Sequence, residues 1–325
     1  MRQLILGLCL LLFACPTDDC QSSPAGPTTT TVSTTSTTSV PVKLPRADRA
    51  PDIASIRIYS AFALPLRDEA TITAIVMNAR SHGFDTPRVC LELEGWPDER
   101  YLPRGPNIET KAAIENVERV FDVTARIPNT YVLAVPVCTI KENGRSYEKI
   151  KWWTRKVAEI VAREDYRHVI WEAVNEHYHP NSSLKNERKV IPLIETLQRI
   201  TGLPAGTDDS VVRGNVIYNP GLRHHVDFLS VHPWRNPDPS GKDIERIVER
   251  NGGQVVLSET TSYVTPEQME LYFPNGSGLV TSDKEQILRY GRRCKRQPGC
   301  VWSFHSVDGL KCEGPFAWMP QWSQM

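Results

Sequence analysis

From Ile53 to Trp318 the hydrophobic period of the sequence changes repeatedly, and that alternation limits the available folds more than any other feature. Short apolar, β-branched runs, whose side chains fall alternately on two faces, are followed by longer stretches with apolar residues three and four apart. The strand-like runs are Ile53–Phe62, Pro87–Trp96, Thr130–Thr139, His168–Glu176, a weak Leu203–Ser210 (LPAGTDDS), Val226–Trp234, Gly253–Tyr263 and Gly299–Gly309. Helical patterns fall at Asp68–His82, Glu109–Ile127, Tyr147–Glu164, Lys189–Thr201, Gly241–Gly252 and Ser282–Arg296. Eight strands separated by helices predict an α/β protein with one (β/α)8 TIM barrel over residues 52–325. A doubly wound sheet is the rival, but its Gly-rich first turn is missing.

The residues before the barrel have a different character. Met1–Cys15 (MRQLILGLCLLLFAC) carries one Arg and then an apolar run too short to span a bilayer, and it reads as a secretory signal. Its end, LFAC, resembles a bacterial lipobox, so Cys15 is either a lipid-anchor site or part of a simple export signal. Residues 16–51 contain the Thr/Ser/Pro-rich run QSSPAGPTTTTVSTTSTTSVPV, which lacks the bulky apolar side chains that would offset the entropy of ordering it. It reads as a stalk. The expectation is a secreted or cell-surface lipoprotein, most simply a monomer, working on extracellular material.

Charge excludes one class of partner. Lys plus Arg and Asp plus Glu both number 38, so no net field draws the chain to nucleic acid, and no P-loop or dinucleotide fingerprint implies a cofactor. Eight cysteines suit an exported protein. Cys294 and Cys300 bracket a short loop that suits a disulfide, with Cys312 a competing partner; Cys90 and Cys138, on adjacent strands, either pair or sit as small buried hydrophobes. There is no CxxC or Cys/His zinc spacing. His224, His225, Asp227 and His232 could suggest a metal site, but the first two precede their strand and His232 ends it. Asp227 is expected to cap the turn before that strand.

In a (β/α)8 barrel, chemistry sits where strands end. The second strand carries Arg88 and ends at Glu92, Glu94 and Trp96; the fourth ends in Asn175, Glu176, His177 and Tyr178. The sixth ends in His232 and Trp234, the seventh in Glu259 and the eighth in Trp302 and His305. Two carboxylates from different strands are what glycoside hydrolysis needs, one to protonate the departing oxygen and one to attack or guide water at the anomeric carbon. Aromatic rings offer flat apolar faces to sugars.

These stretches resemble the retaining glycoside hydrolases of the cellulase-like superfamily (clan A), family five in particular. GFDTPRV (Gly83–Val89), WEAVNEHY (Trp171–Tyr178), SVHPW (Ser230–Trp234), VVLSETTSY (Val255–Tyr263) and VWSF (Val301–Phe304) occur in the family's order. The resemblance implies that Glu176 is the acid/base, with a raised pKa, and Glu259 the nucleophile, braced by Arg88. It implies that Asn175 holds a sugar 2-hydroxyl, that His232 orders the network around the nucleophile, and that Trp302 is a sugar platform. Trp234, Tyr178 and Tyr263 are candidate substrate contacts, as are Trp96 and Trp318, whereas Glu172 reads as a buried structural partner and Trp152 and Trp153 as packing. The chain departs from the family pattern at His177, where Pro often follows the acid; at Cys138–Thr139, where a His commonly ends strand three; and at Trp234, where Tyr is usual. The expected function is an endo-acting retaining β-glycosidase on a poly- or oligosaccharide. The alternative is an inactive glycan-binding barrel used for attachment.

Overall fold

A computed structural model of the chain describes residues 52–94, 103–138, 146–177, 182–212, 215–216, 221–232, 245–246, 248–249, 256–259, 261–275, 280–313 and 316–325. The segments expected as signal and stalk, Trp96, Tyr178, Trp234 and most of the helix expected at 241–252 lie outside these residues. Side chains are described for all of these residues except 209–212, 215–216 and 256–259.

Eight parallel strands form a closed ring. They are β1 (Ile58–Ser60), β2 (Thr86–Cys90), β3 (Val132–Val135), β4 (Val169–Glu172), β5 (Ala205–Val212), β7 (Leu229–His232), β8 (Val256–Glu259) and β11 (Cys300–Phe304). Neighbours run β4-β3-β2-β1-β11-β8-β7-β5, and a β4–β5 pairing closes the barrel. A short β6 (Asn215–Val216) pairs antiparallel with β5, and β9 (Ser262–Tyr263) with β10 (Val280–Thr281) makes a separate ribbon. The fifth strand, weak in sequence, is therefore a full member of the ring.

Helices lie between the strands: α1 (Glu69–Ser81), α2 (Lys111–Ala125), α3 (Tyr147–Arg163), α4 (Glu187–Thr201), α5 (Pro266–Tyr272), α6 (Lys284–Arg296) and α7 (Val307–Lys311). Their starts follow from local chemistry. Asp68, Thr110, Ser146 and Asn186 each place a side-chain oxygen on a first-turn N–H, filling donors that the helix cannot satisfy itself. Thr265 and Gln268 form a reciprocal capping box ahead of α5, with Pro266 at its first position. The α4 helix ends at Gly202, whose φ of +66° places it in the left-handed region.

Strand alternation sorts side chains into two layers. Ile58, Leu133, Ile170, Phe228 and Val301, all near strand starts, form a small cluster with Ile56 that plugs the N-terminal end of the barrel. The larger cluster lies between strands and helices and includes Val76, Phe121, Trp153, Val157, Trp171, Leu193 and Ile287. Trp153 is 1% exposed and donates Nε1–H to Pro136 O at 3.1 Å, whereas Trp152, expected to pack, is 43% exposed. Gly206 shows how tight the inner layer is: a Cβ there would meet Phe228 O at 2.4 Å and its ring at 2.7 Å.

Both candidate disulfides form. Cys90 is bonded to Cys138, tying the ends of β2 and β3 where the resemblance calls for a His, and Cys294 is bonded to Cys300. Cys312 is free and buried, so it does not compete. Among the described residues, no helix is long and apolar enough to cross a membrane.

Candidate active site

Above the apolar plug, the inward positions of the strands turn polar. Arg88 of β2 is 1% exposed and forms a bidentate pair with Glu172 of β4: Nε donates to Oε2 at 2.8 Å and Nη2 to Oε1 at 2.5 Å. Two parallel N–H···O bonds fix the guanidinium plane as well as its charge. Nη2 also donates to Asn175 Oδ1 at 2.9 Å and lies 3.4 Å from His232 Nε2, while the guanidinium sits 4.9 Å above the Phe62 ring. The Arg88 partner described here is thus Glu172, the residue read from the sequence as a buried structural acid. Asn175, 5% exposed, is oriented by this cation and by its own N–H, which donates to Val137 O at 2.9 Å.

The chain then turns sharply. Glu176 has φ +49°, a left-handed conformation that costs a residue with a Cβ roughly 1–2 kcal/mol. Its N–H donates to Asp208 Oδ2 of β5 at 2.7 Å. Its side chain is 14% exposed, and Oε1 lies 3.2 Å from His232 Nδ1. Arg88 faces Nε2 of the His232 ring, and Nδ1–H donates to Glu176. The imidazole is 7% exposed and links the cation to the acid.

Asp208 is the residue that sequence reading missed. It is fully buried, and burial pushes its carboxyl up to about 8, with His232 opposing and the Glu172 and Glu176 carboxyls adding to the rise. Its Oδ1 accepts no hydrogen bond among the described residues and lies 3.8 Å from His232 Nε2. The available signal was an acid at an inward position, in register with Ser230, within LPAGTDDS. His177, standing where Pro is common, is fully buried, and desolvation holds its imidazole down at about 4, so it packs as a neutral ring.

Glu259 ends β8, its Cα in register with Ser303 of β11; its side chain lies outside the described set. Trp302 corrects the sequence reading. The inward positions of β11 are Val301 and Ser303, and Trp302 points the other way, 1% exposed, against Phe84 at 6.1 Å, Phe304 at 5.8 Å and the α6 backbone near Gly291. A ring so enclosed offers no face to a sugar. Tyr263 is likewise 3% exposed, its ring 4.7 Å from that of Trp318, which is half-buried and closer to solvent. His305 contacts Ser262 Oγ and meets the Phe62 ring edge-on at 5.9 Å.

His225 and Asp227, considered as metal ligands, have other partners. His225 Nδ1 faces Glu195 at 2.9 Å, and Asp227 accepts from Ala205 N–H at 2.8 Å and Gln198 Nε2 at 3.0 Å. Asp227 thereby joins the start of β5 to α4, rather than capping the preceding turn. Among the described residues, no group of three or more His, Cys, Asp or Glu could hold a metal.

No protein-family profile matches the sequence, and no curated protein matches it. Solved structures do match in fold. The endo-1,4-β-mannanase of Rhizomucor miehei superposes with a TM-score of 0.54 at 12% identity, over 77% of this chain and 85% of that one. A GH113 β-1,4-mannanase gives 0.53 at 10% identity, over 79% and 92%. A family 5 glycoside hydrolase from Bacteroides vulgatus gives 0.54 at 13% identity over 77% of this chain, which spans 58% of its length. The (β/α)8 barrel expected from the sequence is the fold these proteins share.

Proposed function

We propose that the protein is an exported, retaining β-glycoside hydrolase that cleaves within a β-linked polysaccharide. The observation that carries this reading is the construction at the end of β4. Arg88 holds Asn175 and His232 contacts Glu176, so an amide and a carboxyl stand at adjacent positions just beyond β4. In the reaction, Glu176 gives its proton to the glycosidic oxygen as the bond to the anomeric carbon breaks. Glu259 attacks that carbon and forms a glycosyl ester. Water, losing a proton to Glu176, then displaces Glu259 and leaves the product with its original β configuration. Asn175 donates to the 2-hydroxyl next to the reacting carbon, a contact that strengthens as charge develops.

The fold shared with two β-1,4-mannanases makes β-1,4-mannan the first substrate to try, ahead of β-1,4-glucan and xylan. Two disulfides agree with an oxidising compartment, and the N-terminal signal and stalk agree with export by secretion or through a lipid on Cys15. The test is release of reducing ends from these three glycans by the wild type, Glu176→Gln and Glu259→Gln. Activity on one glycan, cut at least about 10³-fold in both variants, supports the reading. Wild-type inactivity on all three with retained binding would favour an attachment module.

A further inference from the structure

Nothing in the proposed reaction uses Asp208, yet it is the fully buried carboxyl directly beneath Glu176. Its two oxygens are in different situations. Oδ2 accepts the Glu176 amide at 2.7 Å, while Oδ1 accepts no hydrogen bond among the described residues and stands 3.8 Å from His232 Nε2. The amide it holds belongs to a residue in the left-handed region, so the bond supports a backbone shape that the local sequence does not favour. The same His232 contacts Glu176 Oε1 through its other nitrogen. Asp208 therefore reaches the candidate acid from two sides, through its amide and through the imidazole.

We propose that Asp208 is a positioning residue for the acid step: its carboxyl accepts the Glu176 amide and holds the turn that aims the Glu176 side chain. This rests on the reading of Glu176 as the acid/base. Among the described residues, the groups facing Asp208 are Glu172 and Glu176 at the end of β4, His177 beside them, His232 of β7 and Arg88 of β2. Glu172 and Arg88 neutralise one another. Burial favours the protonated form of Asp208 up to about pH 8, and the neighbouring Glu172 and Glu176 carboxyls favour it further.

The test uses the full chain as wild type, Asp208→Asn and Asp208→Ala. Asn keeps a carbonyl acceptor without a titrating proton; Ala removes the acceptor. Two substrates separate the roles: the polysaccharide, whose leaving oxygen needs a proton, and a 2,4-dinitrophenyl β-glycoside, whose leaving group departs without one. Asp208→Ala should lower kcat/KM, which reports only formation of the glycosyl ester, by about 10²-fold or more on the polysaccharide but by less than about threefold on the aryl glycoside. Asp208→Asn should restore most of the polysaccharide rate, with a pH profile matching the wild type below about pH 8. Hydrogen exchange of a peptide spanning Glu176 reads the positioning without activity, and it should be faster in the Ala variant and near wild type in the Asn variant. An equal fall in kcat/KM on both substrates, an Asn variant as slow as Ala, or unchanged exchange at Glu176 would each overturn the proposal. If the Ala variant does not fold, the rate and exchange of the Asn variant decide alone. Faster exchange in a protein whose wild type cleaves neither substrate would sink the hydrolase reading while leaving the positioning role standing.

Discussion

Asp208→Asn also makes a sharp prediction about stability. Burial, opposed by His232 and reinforced by the Glu172 and Glu176 carboxyls, lifts Asp208 from 3.8 to about 8. An acid with a raised folded-state pKa binds more protons folded than unfolded. Its contribution to stability is therefore complete below pH about 4 and is lost as pH rises toward 8. At about 1.4 kcal/mol per unit, the full loss is roughly 6 kcal/mol, an upper bound because the Glu176 N–H favours the charged form. His177 works in the opposite sense. Burial lowers it from 6.5 to about 4, so its contribution is present above pH 6.5 and lost as pH falls to 4. The two slopes offset each other between pH 4 and 6.5, leaving Asp208 alone above that. Between pH 6.5 and 8 the wild type should lose on the order of 2 kcal/mol that Asp208→Asn does not, or about 4–8 °C in Tm. Urea and thermal unfolding of both proteins at half-unit pH steps measure this. Parallel curves for the two across pH 6.5–8 would refute the assignment of a buried, neutral Asp208.

Three other perturbations follow from contacts described above. Arg88→Met leaves Glu172 buried without its bidentate partner and should destabilise by roughly 3–5 kcal/mol in urea unfolding, with the Arg88→Met/Glu172→Met double variant recovering much of the loss. Removing the Cys90–Cys138 bond, which closes a span of 48 residues, should cost about 4 kcal/mol, against about 2 kcal/mol for Cys294–Cys300 with its span of 6; reduced and oxidised melts compare them. Gly206→Ala drives a methyl into the Phe228 backbone and ring and should cost about 1–3 kcal/mol, read by the same unfolding assay.

What could be read in the sequence depended on whether one residue or a pairing carried the signal. The barrel was legible because each strand–helix pair announces itself by a change of period and by a cap such as Asp68 or Thr110. Asn175 and Glu176 stood out as candidates because two polar residues rarely follow a buried apolar strand without a task. Asp208 was hidden within a strand that Pro204, Gly206 and two adjacent acids made look like a loop; only its register against β7 and β4 shows it facing inward. Trp302 failed for the complementary reason. Four residues, VWSF, do not reveal which parity faces the axis, and the register of Ser303 with Glu259 turns Trp302 outward into the α6 layer. The Arg88–Glu172 pair joins residues 84 positions apart, so its existence depends on the β2-β3-β4 order of the ring.

The most direct test of the two-glutamate account is the anomeric configuration of the first product, followed by proton NMR during cleavage of a β-linked oligosaccharide at high enzyme concentration. Initial appearance of the β-anomer, with slow mutarotation to the α form, is the predicted result and requires two displacements at one carbon. Initial appearance of the α-anomer would mean a single displacement by water and would contradict the role given to Glu259.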